Sequence, residues 1–79
     1  MADRFGARLK ELRRHARMTQ QRLAQAAGLS VSAIGRLEQG GRPRLVTVAA
    51  LARALGVPVG TLDPPREAGS AAGAAGDER

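Results

Sequence analysis

The side chains able to do chemistry in this chain are almost all guanidinium groups. Its 79 residues hold 13 Lys and Arg against 7 acids, with one histidine and no cysteine. Catalysis needs a nucleophile with a base, paired acids or a metal cluster. His15 falls among arginines on the polar side of its stretch, and the acids of residues 1–62 (Asp3, Glu11 and Glu38) are scattered. Gly40-Gly41 follows a helical pattern instead of joining a strand to a helix, so it is no phosphate loop. Neither a cofactor nor a metal is expected, and the chain is not expected to be an enzyme. A planar guanidinium does something else well: it forks onto phosphate oxygens, or onto O6 and N7 of guanine.

The positive charge is concentrated. Residues 1–62 hold eleven Lys and Arg against three acids, a net of +8, whereas residues 63–79 hold two against four, a net of −2. A polyanion is the natural partner for such a domain. The plain alternative is that arginine only keeps an alanine-rich protein in solution. A chain this short makes one small domain at most and buries only ~60% of its unfolded surface, so its stability should be modest. Phe5 is the sole aromatic, which leaves Leu, Val, Ile and Ala to build the core. The lack of cysteine fits a reducing cytoplasm, and no signal-peptide pattern or long apolar run argues for export or membrane spanning.

The stretch from Thr19 to Gly40 offers the arginines their most definite scaffold. Leu23, Ala24 and Ala27 fall at helical spacing behind Thr19, whose hydroxyl can accept from backbone N–H groups two or three residues on. Gly28 supplies the positive φ that a helix end usually needs. Ser30 can cap a second helix that turns Ile34 and Leu37 inward and stops at Gly40. Ala24 and Ala33 are small enough for the two helices to cross closely. Such a unit can hold its second helix clear of the body, where it fits a DNA major groove. Helical domains that bind no nucleic acid contain the same arrangement, so the order of residues has to decide.

Upstream, Phe5, Leu9, Leu12 and Ala16 recur at i, i+4, i+7 and i+11, which predicts an amphipathic helix from Arg4 to about Ala16, with Asp3 placed to cap it. Its other face carries Arg4, Arg8, Lys10, Arg14 and Arg17. Basic amphipathic helices can lie on membranes, but the few apolar residues here are needed for the core, so no membrane contact is expected. Met18 should pack just ahead of the Thr19 cap as a hydrophobic staple. Downstream, Gly41-Arg42-Pro43-Arg44 reads as a flexible basic loop, in which Pro43 ends any helical continuation. Val48, Leu51, Ala52 and Leu55 then predict a helix over residues 45–55 closed by Gly56. Residues 66–79 have no large apolar side chain to repay the entropy of ordering. The expected division is a domain over residues 1–63 and a disordered Ala/Gly-rich tail over 64–79.

Thr19-Gln20-Gln21-Arg22-Leu23-Ala24, then Gly28-Leu29-Ser30, then Ile34, Leu37-Glu38 and Gly40 together resemble the Cro and phage-lambda-repressor (XRE-type) helix-turn-helix family. The resemblance runs over roughly residues 4–62 and matches apolar, small and glycine positions in one register. It implies an all-α fold, a compact bundle of four to five short helices. It also implies a sequence-specific DNA-binding regulator of transcription, expected to be a repressor. The partner would be double-stranded DNA, bound as a homodimer at a palindromic operator in the cytoplasm, on the nucleoid. Arg13 and Glu38 match a family pair that locks the recognition helix to the scaffold; at a partly exposed site its net stabilisation is expected to be small. Gln20 matches a glutamine that contacts a phosphate and braces the base-reading residues. A short fifth helix over residues 57–62 is implied too, often the dimer contact, although Pro58 and Gly60 are weak formers.

Sorted by type of contact, the base-reading candidates are Val31, Ser32, Gly35 and Arg36. Arg36 can fork onto guanine, Ser32 can donate or accept at several base edges, and Val31 can pack on a thymine methyl. Gly35 is unexpected in mid-helix; close approach to DNA, close approach to a neighbouring helix, or tolerated drift would each account for it. The DNA-backbone candidates are Gln20, Gln21, Gln39, Arg42, Arg44, Arg8, Lys10 and Arg14. Taken singly, each of these arginines could equally be a solvated surface charge, and the cluster carries the argument. Rival readings use the same fold mainly to bind protein, as an antitoxin or a bridging adaptor with polymerase or a toxin as second partner. A controller of a restriction–modification system would have a similar size.

Overall fold

The computed structural model describes residues 4–64, and these fold into five helices in succession. They are α1 (Arg4–His15), α2 (Gln20–Ala27), α3 (Val31–Glu38), α4 (Leu45–Leu55) and α5 (Val59–Leu62). Thr19 and Ser30 start α2 and α3 by accepting from the backbone N–H groups of Arg22 and Ala33, each at 3.0 Å. Each hydroxyl thereby satisfies a donor that a helix start leaves free.

Four helix ends close in the same way, the N–H groups of the residues beyond the helix turning back onto carbonyls of its last turn. Met18 N–H donates to the Arg13 carbonyl, Leu29 to Ala24, Gly41 to Arg36 and Val57 to Ala52, at 2.8–3.1 Å. The turn residue is glycine with positive φ at three of these ends, Gly28 (74°), Gly40 (115°) and Gly56 (74°). At the fourth it is Arg17, at φ 58°, the single non-glycine residue of this kind among the described residues. A side chain in the left-handed region crowds its own carbonyl, so the end of α1 is held at some cost.

The helices enclose one core in which Leu9, Leu23, Ile34, Leu51 and Leu62 are fully buried, joined by Ala24, Leu37, Val48 and Ala52. Phe5, Leu12, Met18, Ala27, Leu29 and Leu55 pack against it. α2 rests on α3 and α4, α1 on α3 and α5, and α5 also on α4. No described helix is long and apolar enough to cross a membrane.

One expectation needs correction, and one expected element forms against its propensity. The apolar stripe of α1 ends at Leu12, because the helix stops at His15 and Ala16 lies exposed in the turn that Arg17 closes. α5 forms despite Pro58 and Gly60. Pro58 stands outside it as the N-cap, where a missing N–H costs nothing, and fully buried Leu62 holds the single turn against α1 and α4. The tail expected over residues 64–79 lies, from Pro65 onward, outside the described residues.

Candidate nucleic-acid interface

Helix α3 is eight residues long and divides cleanly between two surroundings. Ile34 and Leu37 are buried, while Val31, Ser32, Arg36 and, just past the helix, Gln39 are exposed. Val31 keeps 44% of its surface open to solvent, a large exposure for an apolar side chain. Arg36 makes neither an ion pair nor a side-chain hydrogen bond among the described residues, so its guanidinium is free to engage a ligand.

Gly35 lies half-buried in α3, and a Cβ built there meets nothing within 4 Å. Crowding by a neighbouring helix of the same protomer is thereby excluded as its reason. Gly35→Ala is therefore expected to stabilise the free protein by about 1 kcal/mol, since alanine favours the helix by that amount and no neighbour has to move. Thermal unfolding checks this, and a fall in Tm would reveal a clash that the geometry does not contain.

The loop after α3 is more fixed than its Gly-Gly sequence suggests. The Gly41 N–H donates to the Arg36 carbonyl at 2.9 Å, and a Cβ on Gly41 would approach that same oxygen to 3.0 Å. A flexible basic loop was expected; its start is instead hydrogen-bonded back onto the last turn of α3. Arg42 and Arg44 follow, both exposed, with Arg44 standing at the N-cap of α4. Leu45 and Val46 open α4 with 78% and 70% of their surfaces exposed. Arg8, Lys10 and Arg14 are exposed along α1, Gln21 is exposed on α2, and none of these four enters a side-chain hydrogen bond among the described residues.

Three of the residues singled out in the sequence do converge. Arg13 donates from Nε to Glu38 Oε2 at 2.6 Å and from Nη2 to Oε1 at 3.3 Å. Its remaining nitrogen, Nη1, donates to the Met18 carbonyl at 2.8 Å. Gln20 Nε2 donates to Glu38 Oε1 at 3.0 Å. The pair is more enclosed than an open surface pair, the side chains of Arg13 and Glu38 being 13% and 4% exposed at a part-buried site. Water screens such a pair less than one on the open surface, and loss of Arg13 would leave the Glu38 carboxylate largely desolvated. No residue type pointed to the Met18 carbonyl, since a backbone acceptor leaves no trace in side chains.

A helix with its inner side in the core and its outer side open, following a capped helix and a glycine turn, is the arrangement of a helix-turn-helix. The helix-turn-helix domain family matches residues 4–64 of the chain. This chain belongs to the helix-turn-helix family of the Cro and lambda-repressor kind. Its class is therefore that of a DNA-binding regulator of transcription. Among solved structures, the chain is similar to the restriction-modification controller protein C.AhdI from Aeromonas hydrophila. The two are 37% identical with a TM-score of 0.75, over 77% of this chain and 94% of that one. No match is found among curated proteins.

Proposed function

We propose that this helix-turn-helix protein is a sequence-specific repressor that binds a palindromic operator as a homodimer. The outer side of α3 enters the major groove in each half-site, the two copies lying ~34 Å apart on the duplex. One observation carries the reading: α3 buries Ile34 and Leu37 and leaves Val31, Ser32, Arg36 and Gln39 open. Arg36 reads a guanine, Val31 and Ser32 contact neighbouring base edges, and Gly35 lets the helix backbone come near. Gln39, Arg42 and Arg44 hold the phosphates at the end of α3, with Gln21, Arg8, Lys10 and Arg14 as more distant contacts. Gln20 belongs with them: its amide gives one N–H to Glu38 Oε1 and keeps the second for a phosphate.

Exposed Leu45, Val46 and Val59 on α4 and α5 support self-association, because a small monomer gains by covering such side chains. The operator-bound protein belongs in the cytoplasm, on the nucleoid. Footprinting against genomic fragments is expected to show a protected dyad. Weak retention spread evenly over all fragments would reject sequence-specific repression.

The likeness to C.AhdI favours a narrower variant, in which the chain controls the genes of a restriction–modification system. A protected dyad upstream of neighbouring endonuclease and methyltransferase genes is the result expected of that variant. A protected dyad elsewhere would leave the general reading standing and remove the narrower one.

A further inference from the structure

Of the four helix ends that turn back onto their own carbonyls, three do so through glycine; the end of α1 does so through Arg17, at φ 58°. A side chain in the left-handed region crowds its own carbonyl, a cost that glycine escapes. Strain of this kind persists where the surroundings hold it and gathers at functional positions. The surroundings of Arg17 supply a reason for it. With Ala16, Met18, Thr19 and Arg22 it lines an open hollow of about 380 Å³ between the end of α1 and the start of α2. Arg17 and Arg22 are both exposed, and neither side chain makes an ion pair or a hydrogen bond among the described residues. No acid lines the hollow. Two guanidinium groups on one concave surface, with no carboxylate between them, suit a shared anion, and phosphate oxygens match their planar forks.

The hollow lies beside the end of α3, and Arg13 joins the two. Its Nη1 donates to the carbonyl of Met18, a residue of the hollow, while its Nε and Nη2 hold Glu38, the last residue of α3. Gln20, one residue beyond Thr19, reaches the same carboxylate and keeps a second N–H. We propose that Arg17 and Arg22 together bind a phosphate of the duplex beside the one offered to Gln20, and that an arginine is kept in a glycine-type turn for this contact. The proposal rests on the reading of α3 as the helix that enters the groove. It adds an anchor that neither α3 nor the loop after it supplies. An anchor of this kind holds every sequence alike, because it touches charge and no base edge.

The test compares wild type with Arg17→Gly, Arg17→Ala and Arg22→Ala. Each free protein is unfolded by heat. Each is also titrated, where fully folded and over a series of salt concentrations, with a duplex selected from a random pool and with an unrelated duplex. Arg17→Gly is expected to raise the Tm by about 4–8 °C, as relief of the left-handed turn implies in a domain of this size, and yet to bind both duplexes more weakly. Arg17→Ala keeps the strain, so it should show the same loss of binding without the rise in Tm. In all three variants the salt slope should fall by about 1 for each copy bound, which amounts to about eightfold in affinity per copy at ~0.1 M salt.

A higher Tm for Arg17→Gly with affinity and slope unchanged would make Arg17 a tolerated surface charge and overturn the proposal. A Tm no higher than that of wild type would overturn the claim that the arginine is kept at a cost. Weakening confined to the selected duplex would mean that the turn acts through α3 instead of on a phosphate, and would overturn it equally. An unchanged slope for Arg22→Ala would dissolve the shared site. A wild type that binds neither duplex defeats the reading of α3 itself, and this proposal with it. A wild type that prefers its selected duplex, beside variants that keep the full salt slope, defeats this proposal alone.

Discussion

Arg13→Ala is expected to destabilise the free protein by about 3–5 kcal/mol, because it leaves a buried carboxylate without its counter-charge. Glu38 would retain only the Gln20 amide, in a position where its side chain is 4% exposed. The Met18 carbonyl would lose its side-chain donor at the same time. Folded domains hold roughly 0.05–0.15 kcal/mol of stability per residue, so a loss of this size consumes most of what 61 described residues can supply. Urea unfolding measures it directly. The double variant Arg13→Met, Glu38→Leu should recover most of the loss, since exchanging a buried pair for apolar side chains is often near neutral. A loss below about 1 kcal/mol for Arg13→Ala would place the pair among ordinary surface ion pairs and contradict the burial described for it.

Arg36→Ala is expected to weaken binding to the preferred duplex by about 1–3 kcal/mol per half-site and to relax preference at one base position in each. The fold should be untouched, because Arg36 is exposed and its carbonyl, not its side chain, receives Gly41. Arg44→Ala is the informative control. Removing a phosphate contact weakens all sequences alike and lowers the salt slope by about 1 without altering preference. Selection of bound sequences from a random pool, repeated with each variant, separates the two effects. Arg36→Ala with its preference intact would move the base-reading surface off this part of α3.

Much of the scaffold was legible in residue types. Thr19, Ser30, Gly28 and Gly56 announced their helix boundaries because capping and left-handed turns need those side chains, or none. The end of α1 was not legible, because Arg17 occupies a turn position that glycine usually marks. Ala16 therefore read as one more member of a stripe that had already ended at Leu12. Helix α5 was legible only through the resemblance, since its propensity is poor and the burial of Leu62 that holds it is a tertiary effect. At the site, the exposed positions of α3 followed from helical spacing alone. The depth of Glu38 did not, because three residues far apart in the chain had to converge before their solvent exposure could be known.

The brevity of α3 has a consequence of its own. Eight residues, one of them glycine, lie below the length at which a helix persists unaided in water. The shape of α3, proposed to meet the duplex, is therefore lent by Ile34 and Leu37 at the core and by the clasp on Glu38. Excised from its neighbours, the same segment would be a loose chain with no surface to present. On the proposed reading, folding and recognition would be one equilibrium, and whatever loosens the bundle would dull the choice of sequence as well.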